Sequence, residues 1–229
     1  MTKKKSIVIA IVLALVLLIG GMLAYFTDTD TATNVFTLGD NVEISLTETG
    51  WSNGGSGTNY TLNEANGIHP GANVAKNPTI NNESLTTEAY VFAEVIVPCY
   101  ASTGTTVDTP LFALNDSTGT ALGTTVGSAG NTGWTLISVS SVDTTNKTIK
   151  YVYAWGTSSG MTALAASTAQ AKTSTAPVFS SVTLAPTLTA AQKATASATP
   201  NIVVNAYGIQ TDGLSVSTPT DIFALFSNS

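Results

Sequence analysis

Few side chains in this sequence could carry chemistry, and their spacing limits what that chemistry could be. A hydrolytic zinc site needs two or three ligands of the His or Glu type and a general base, as in His-Glu-x-x-His on a helix. The chain has one histidine, His69, followed by Pro70 and Gly71. That context reads as a turn, and one histidine cannot supply the ligand set. A Ser-His-Asp triad would have to use the same histidine, which has no motif partner. No Gly-x-x-x-x-Gly-Lys-Ser/Thr phosphate loop occurs, so no cofactor is implied. Asp28-Thr29-Asp30 spaces two carboxylates as some calcium loops do, but it lacks the glycine and distal glutamate of such a loop and reads as a solvated strand face. Cys99 is the single cysteine, which excludes an intrachain disulfide and suits a small buried hydrophobe. A Lys–Asn isopeptide cross-link has the residue types it needs in Lys76, Asn77, Asn81 and Glu88 or Glu94, yet nothing in their spacing selects them. Catalysis is therefore not expected.

The elements that would position these residues begin with an export signal. Lys3-Lys4-Lys5 precedes an apolar run from Ile7 to Ile19, and Gly20-Gly21-Met22-Leu23-Ala24 ends in a small residue where a signal peptidase could cut. A membrane-spanning helix needs about 20 apolar residues; counting on to Phe26 reaches that length, so a retained anchor is the alternative reading. Cleavage between Ala24 and Tyr25 makes residues 1–24 a signal peptide, and the membrane is then a partner only before cleavage. The chain beyond Ala24 carries five lysines against fourteen acids, a formal charge of −9, and there is no arginine. Such a chain has no basic footprint for nucleic acid.

Val42, Ile44 and Leu46 alternate with polar residues as a half-buried strand does. Trp51 to Thr58 is a glycine-rich loop. Ala89 to Val97 is apolar on both faces except at Glu94 and is expected to be a central strand closed by Pro98. Trp134 to Val139 and Ile149 to Trp155 flank the turn residues Asp143-Thr144-Thr145-Asn146 and read as a hairpin. Residues 102–133 are expected to be an insertion between sheets, and Met161 to Thr175 a loop. Thr189-Ala190-Ala191-Gln192 has the form of a capping box, which predicts a short helix ending before Pro200. Phe179 to Leu184 and Ile202 to Gln210 are strands, and Thr220-Asp221 is expected to cap a final turn. Four Asn-x-Ser/Thr sequons (Asn59, Asn82, Asn115, Asn146) fit surface loops. Many short strands with one or two short helices and long loops give an all-β sandwich, with residues 41–229 as the β domain.

The stretch Gly20-Gly21-Met22-Leu23-Ala24-Tyr25-Phe26-Thr27-Asp28 resembles the junction cut by the SipW-type signal peptidase. Asn34-Val35-Phe36-Thr37-Leu38-Gly39, Val42-Glu43-Ile44, Pro70-Gly71 with Lys76 and Pro78, Ala89-Tyr90-Val91 and Val204-Asn205-Ala206-Tyr207-Gly208-Ile209-Gln210 are similar to further landmarks of the same group. Together they resemble the TasA/camelysin family of biofilm-matrix and cell-surface proteins. The resemblance implies a jelly-roll sandwich, a secreted location in the matrix or on the cell surface of a bacterium, and fibres in which one subunit's N-terminal segment completes the next one's sheet.

Residues 25–40 would then be a donor segment, carried by Tyr25, Phe26, Thr27, Thr29, Thr31, Thr33 and Val35. The partners implied are copies of the chain itself, the SipW-type peptidase and other matrix components. The rival reading is a monomeric secreted module that binds carbohydrate or a surface through Trp51, Trp134 or Trp155.

Overall fold

The computed structural model describes residues 27–31, 42–48, 68–197 and 200–228. Its spine is the strand expected to be central, β5 (Ala89–Tyr100). Along it Ala89, Val91, Ala93, Val95, Val97 and Cys99 are all fully buried, the period-2 row of a strand with one face in the core. Pro98 does not end this strand. It pairs with Thr148, and its carbonyl accepts from Leu111 N at 2.7 Å. A proline removes only a donor, and here the ladder uses the acceptor.

Fully antiparallel pairing builds a large sheet around this spine. β13 (Val203–Gln210) lies on one side of β5 and carries β1 (Thr27–Thr31) at the sheet's edge; β9 (Thr148–Thr157) lies on the other. β8 (Trp134–Val139) and β10 (Gly160–Met161) continue from β9, and β6 (Thr109–Pro110) pairs with the end of β5. The hairpin expected across residues 143–146 joins β8 to β9, with the Asp143 carboxylate accepting from Thr145 N and Asn146 N at 2.9 Å each.

Two three-stranded sheets face the large one. The first orders β11 (Thr173–Ser174), β4 (Pro78–Asn82) and β2 (Ile44–Glu48); the second orders β3 (Asn73–Ala75), β12 (Ser181–Leu184) and β7 (Phe112–Asn115). Val42, Ile44, Leu46, Ile80, Phe112, Leu114, Val182 and Leu184 from this layer share one core with Val91, Val95, Leu136, Tyr151, Tyr153 and Val204 of the other. The fold is the expected all-β sandwich. Each large apolar side chain buried there contributes about 1.5–3 kcal/mol of transfer free energy.

Three expectations are revised. The stretch 102–133 includes β7, whose pairing with β12 and buried Phe112 and Leu114 put it inside the second layer. Part of the expected loop from Met161 to Thr175 forms β11 and the end of β10. The final helix is capped by Thr218 rather than Thr220, with Pro219 at its first position; Thr218 Oγ1 accepts from Asp221 N at 3.3 Å. Proline is preset for that position, which moves the start two residues back. The capping box at Thr189 and Gln192 does form, opening α1 (Ala190–Thr195).

A third layer lies outside the large sheet. α2 (Pro219–Ala224) and a 3-10 turn (Leu225–Asn228) cover a second apolar cluster of Phe92, Ile137, Val152, Ala154, Ile209 and Ile222.

Candidate functional site

The N-terminal strand sits on β13 of its own chain. Thr27, Asp28, Thr29, Asp30 and Thr31 pair in order with Ile209, Gly208, Tyr207, Ala206 and Asn205. Of the expected donor residues, Thr27, Thr29 and Thr31 lie in this strand; Tyr25, Phe26, Thr33 and Val35, like the expected cleavage residue Ala24, lie outside the described residues.

The edge that receives the strand is built from small residues on its core side. Val204 and Ala206 are buried there, and Gly208 allows a close approach. A Cβ on Gly208 would stand 2.9 Å from both Val42 Cγ1 and Ile44 Cγ2. The chain leading into β2 therefore presses on the backbone of β13, and a side chain at 208 would hold the two layers apart.

On the outer side of β13 stand Val203, Asn205, Tyr207 and Ile209. Asn205 Nδ2 donates to Glu94 Oε1 at 3.0 Å, and Lys150 Nζ lies 3.5 Å from Glu94 Oε2. Burial, then the nearby Glu94 carboxylate, raises the Tyr207 phenol above its ordinary value, against a hydrogen bond from Asn205. These groups satisfy one another in pairs and leave no reactive constellation.

Of the tryptophans that the rival reading offers as a ligand platform, Trp134 is a core residue and Trp155 is half-buried against the core. Trp134 is buried, its Nε1 donates to Ala176 O at 2.8 Å, and its ring meets Trp155 edge-on at 5.3 Å. Trp51 lies outside the described residues. Two of the sequons are equally unsuited to surface chemistry. Asn82 is fully buried with Nδ2 donating to the carbonyls of Thr87, Leu164 and Ala165, and Asn115 donates to Ser181 and Thr183. Lys76, the candidate for a cross-link, holds Glu48 through both carboxylate oxygens at 2.9 and 2.8 Å. Cys99 is fully buried, and burial with the Asp108 carboxylate pushes its thiol up to about 11, which removes it as a nucleophile at neutral pH.

His69 is exposed in a turn closed by Ala72 N donating to His69 O at 2.9 Å. Gly50-Trp51-Ser52-Asn53-Gly54 matches the letters of a nucleophile elbow, a pattern that needs a sharp strand-to-helix turn; it lies outside the described residues. Among the described residues no helix is long and apolar enough to cross a membrane.

These observations define a class: an all-β sandwich with a sheet edge filled by a strand from near its N-terminus. Residues 1–94 match the family model described as camelysin metallo-endopeptidase, which is the TasA/camelysin family. No curated protein and no solved structure matches the chain. The match covers the first 94 of the 229 residues, and the rest of the chain lies outside it. The family's description implies a metal, and the donor set does not fit one. Among the described residues no three His, Cys, Asp or Glu side chains converge on a common point, and the only histidine faces solvent.

Proposed function

We propose that the exported chain is a structural subunit that polymerises head to tail, each subunit's Tyr25–Val35 segment completing the β13 edge of the next. The observation that supports this reading is the five-residue antiparallel register between Thr27–Thr31 and β13. A partner supplied by the same chain can be replaced by the identical strand of a neighbour at little cost, which is the basis of domain swapping.

The connection is long enough to allow it. Thr31 pairs with Asn205, and Val42 packs at Gly208, three residues further along β13, or about 10 Å at strand rise. The ten residues between them can reach about 33–36 Å when extended. Nothing in their length ties the strand to its own sheet. Signal cleavage would release the segment from the membrane and so act as the start of assembly. The contact is heterologous and does not close on itself, which gives a filament. A non-catalytic role accords with the single histidine and the absence of a donor cluster among the described residues.

Negative-stain microscopy of the secreted chain, beside a variant lacking Tyr25 to Asp30, tests the proposal. The intact chain should form filaments and the shortened one should stay a folded monomer. A synthetic Tyr25–Val35 peptide should stop growth by occupying the acceptor edge. Filaments of unchanged form from the shortened chain would sink the mechanism.

A further inference from the structure

β13 is unusual for a strand so close to the edge of a sheet. Its core-facing row is Val204, Ala206 and Gly208, so its inner side offers little apolar area to hold it down. Its firm contacts lie on the other face. Ile209 is fully buried there, and the ring of Tyr207 meets Phe223 at 5.4 Å edge-on and Phe226 at 5.3 Å.

The same two phenylalanines reach the next strand. Phe92 on β5 is the register partner of Tyr207, and it packs against Phe223 at 5.3 Å and Phe226 at 5.8 Å. The two rings also touch each other at 5.8 Å. One turn of C-terminal helix and the 3-10 turn thus staple β13 to β5 from outside, at the level where Thr29 of β1 pairs with Tyr207. Ile222, 1 % exposed, anchors the staple.

We infer that the C-terminal segment Pro219–Asn228 is a clamp that holds the acceptor strand in register while its outer edge is empty. The clamp's role in assembly rests on the strand-exchange reading. When β1 leaves, β13 becomes the last strand of the sheet. It keeps its ladder to β5 and the small inner row, and without the clamp it would fray as edge strands with few buried contacts do. With Phe223 and Phe226 in place it stays flat and ready for the next donor. Phe223 and Phe226 are therefore positioning residues for the acceptor edge, acting through Tyr207.

Hydrogen exchange on the secreted chain tests the clamp without requiring assembly. Thr29→Pro removes a donor from β1 and loosens it, since proline cannot serve the ladder. Thr29→Pro alone, or Phe223→Ala with Phe226→Ala alone, should each lower protection of the Val203–Gln210 amides by less than about tenfold; all three together should lower it by more than about a hundredfold. Amides of β8 and β9 should change by less than about threefold in every variant, which a general loss of stability would not produce. Phe223→Leu with Phe226→Leu should retain protection in the Thr29→Pro background. If the double alanine variant does not fold, Phe226→Ala with Thr29→Pro replaces it, with the same regional contrast.

A combined loss equal to the product of the separate losses, or one spread evenly over β5, β8 and β9, overturns the clamp. If the wild-type chain forms no filaments, the strand-exchange reading fails while the exchange pattern still decides the clamp.

Discussion

The large sheet ends differently on its two sides. Beyond β8, backbone groups are met by the loop just before it: Leu136 N donates to Ser128 O at 3.0 Å, Gly127 N to Leu136 O at 2.7 Å, and Gly130 N to Trp134 O at 2.8 Å. That side is then locked by rings. Gly133 adopts φ +83°, and a Cβ there would sit 2.4 Å from the Trp155 ring, which in turn leans on Trp134. Beyond β13, the closing element is a five-residue strand from a distant part of the chain, paired alongside a strand whose core-facing row is small. Both sides satisfy the backbone. On the first side the closing loop is also packed by rings at Gly133, Trp155 and Trp134; on the second the strand-exchange proposal needs a closing strand that can be replaced by an identical one.

Three measurements sharpen that contrast. The largest effect is expected at the locked side. Trp134→Ala removes a buried ring and its indole hydrogen bond, and should cost about 3–5 kcal/mol in denaturant unfolding. Next come the two glycines. Gly133→Ala meets both a ring and a left-handed backbone, a cost of about 2–4 kcal/mol; Gly208→Ala meets two methyl groups, a cost of about 1–3 kcal/mol. Their consequences for assembly should differ more than their costs. Filament yield per folded subunit should hold in Gly133→Ala and drop in Gly208→Ala; equal behaviour would mean that the two sides are not specialised.

The smallest effect is electrostatic. Burial would raise the Glu83 carboxyl, but Lys172 Nζ at 2.5 Å and the Ser45 hydroxyl outweigh it and hold the group below its ordinary value near 4.5. A carboxyl depressed in the folded state stabilises above its unfolded value, and that contribution is lost as pH falls through the folded one. Glu83 keeps only 19 % of its side-chain surface exposed, but its partner Lys172 is largely open to solvent, which screens the pair, so the change should be slight. Because Glu83 N also donates to Glu43 O, next to Val42, acid should loosen the entry to β2 before it reaches the locked side. Thermal melts from pH 6 to 3 should flatten in Glu83→Gln, and an unchanged profile would remove this group from the account.

Much of the sandwich was readable from alternation. The run from Ala89 to Val97, the hairpin around Asp143 and the capping box at Thr189 each rest on local chemistry that no distant contact overrides. The β13 edge was only half legible. Tyr25 to Val35 stands out by composition and by its place after the apolar N-terminal run, but the small inner row of β13 means something only once Val42 and Ile44 are known to face it. The C-terminal clamp was less legible still. Ile222, Phe223, Leu225 and Phe226 announce an apolar turn and Ala89 to Val97 is apolar on both faces, yet nothing local shows that this turn covers Phe92 or that it reaches Tyr207 on the neighbouring strand. The tryptophans show the reverse case, since aromatic residues on strands could equally well face a ligand, and the fold of residues 127–136 sends Trp134 inward.

For a chain exported as proposed, the burial of Cys99 has a consequence in an oxidising medium. An oxidising medium couples thiols that ionise and can be reached, and this one does neither while β5 is in place. Folded subunits can therefore crowd together without covalent scrambling. A chain that opens regains an ordinary thiol of pKa about 8.5 and can be caught by another of its kind, so the lone sulfur marks each subunit that has come undone.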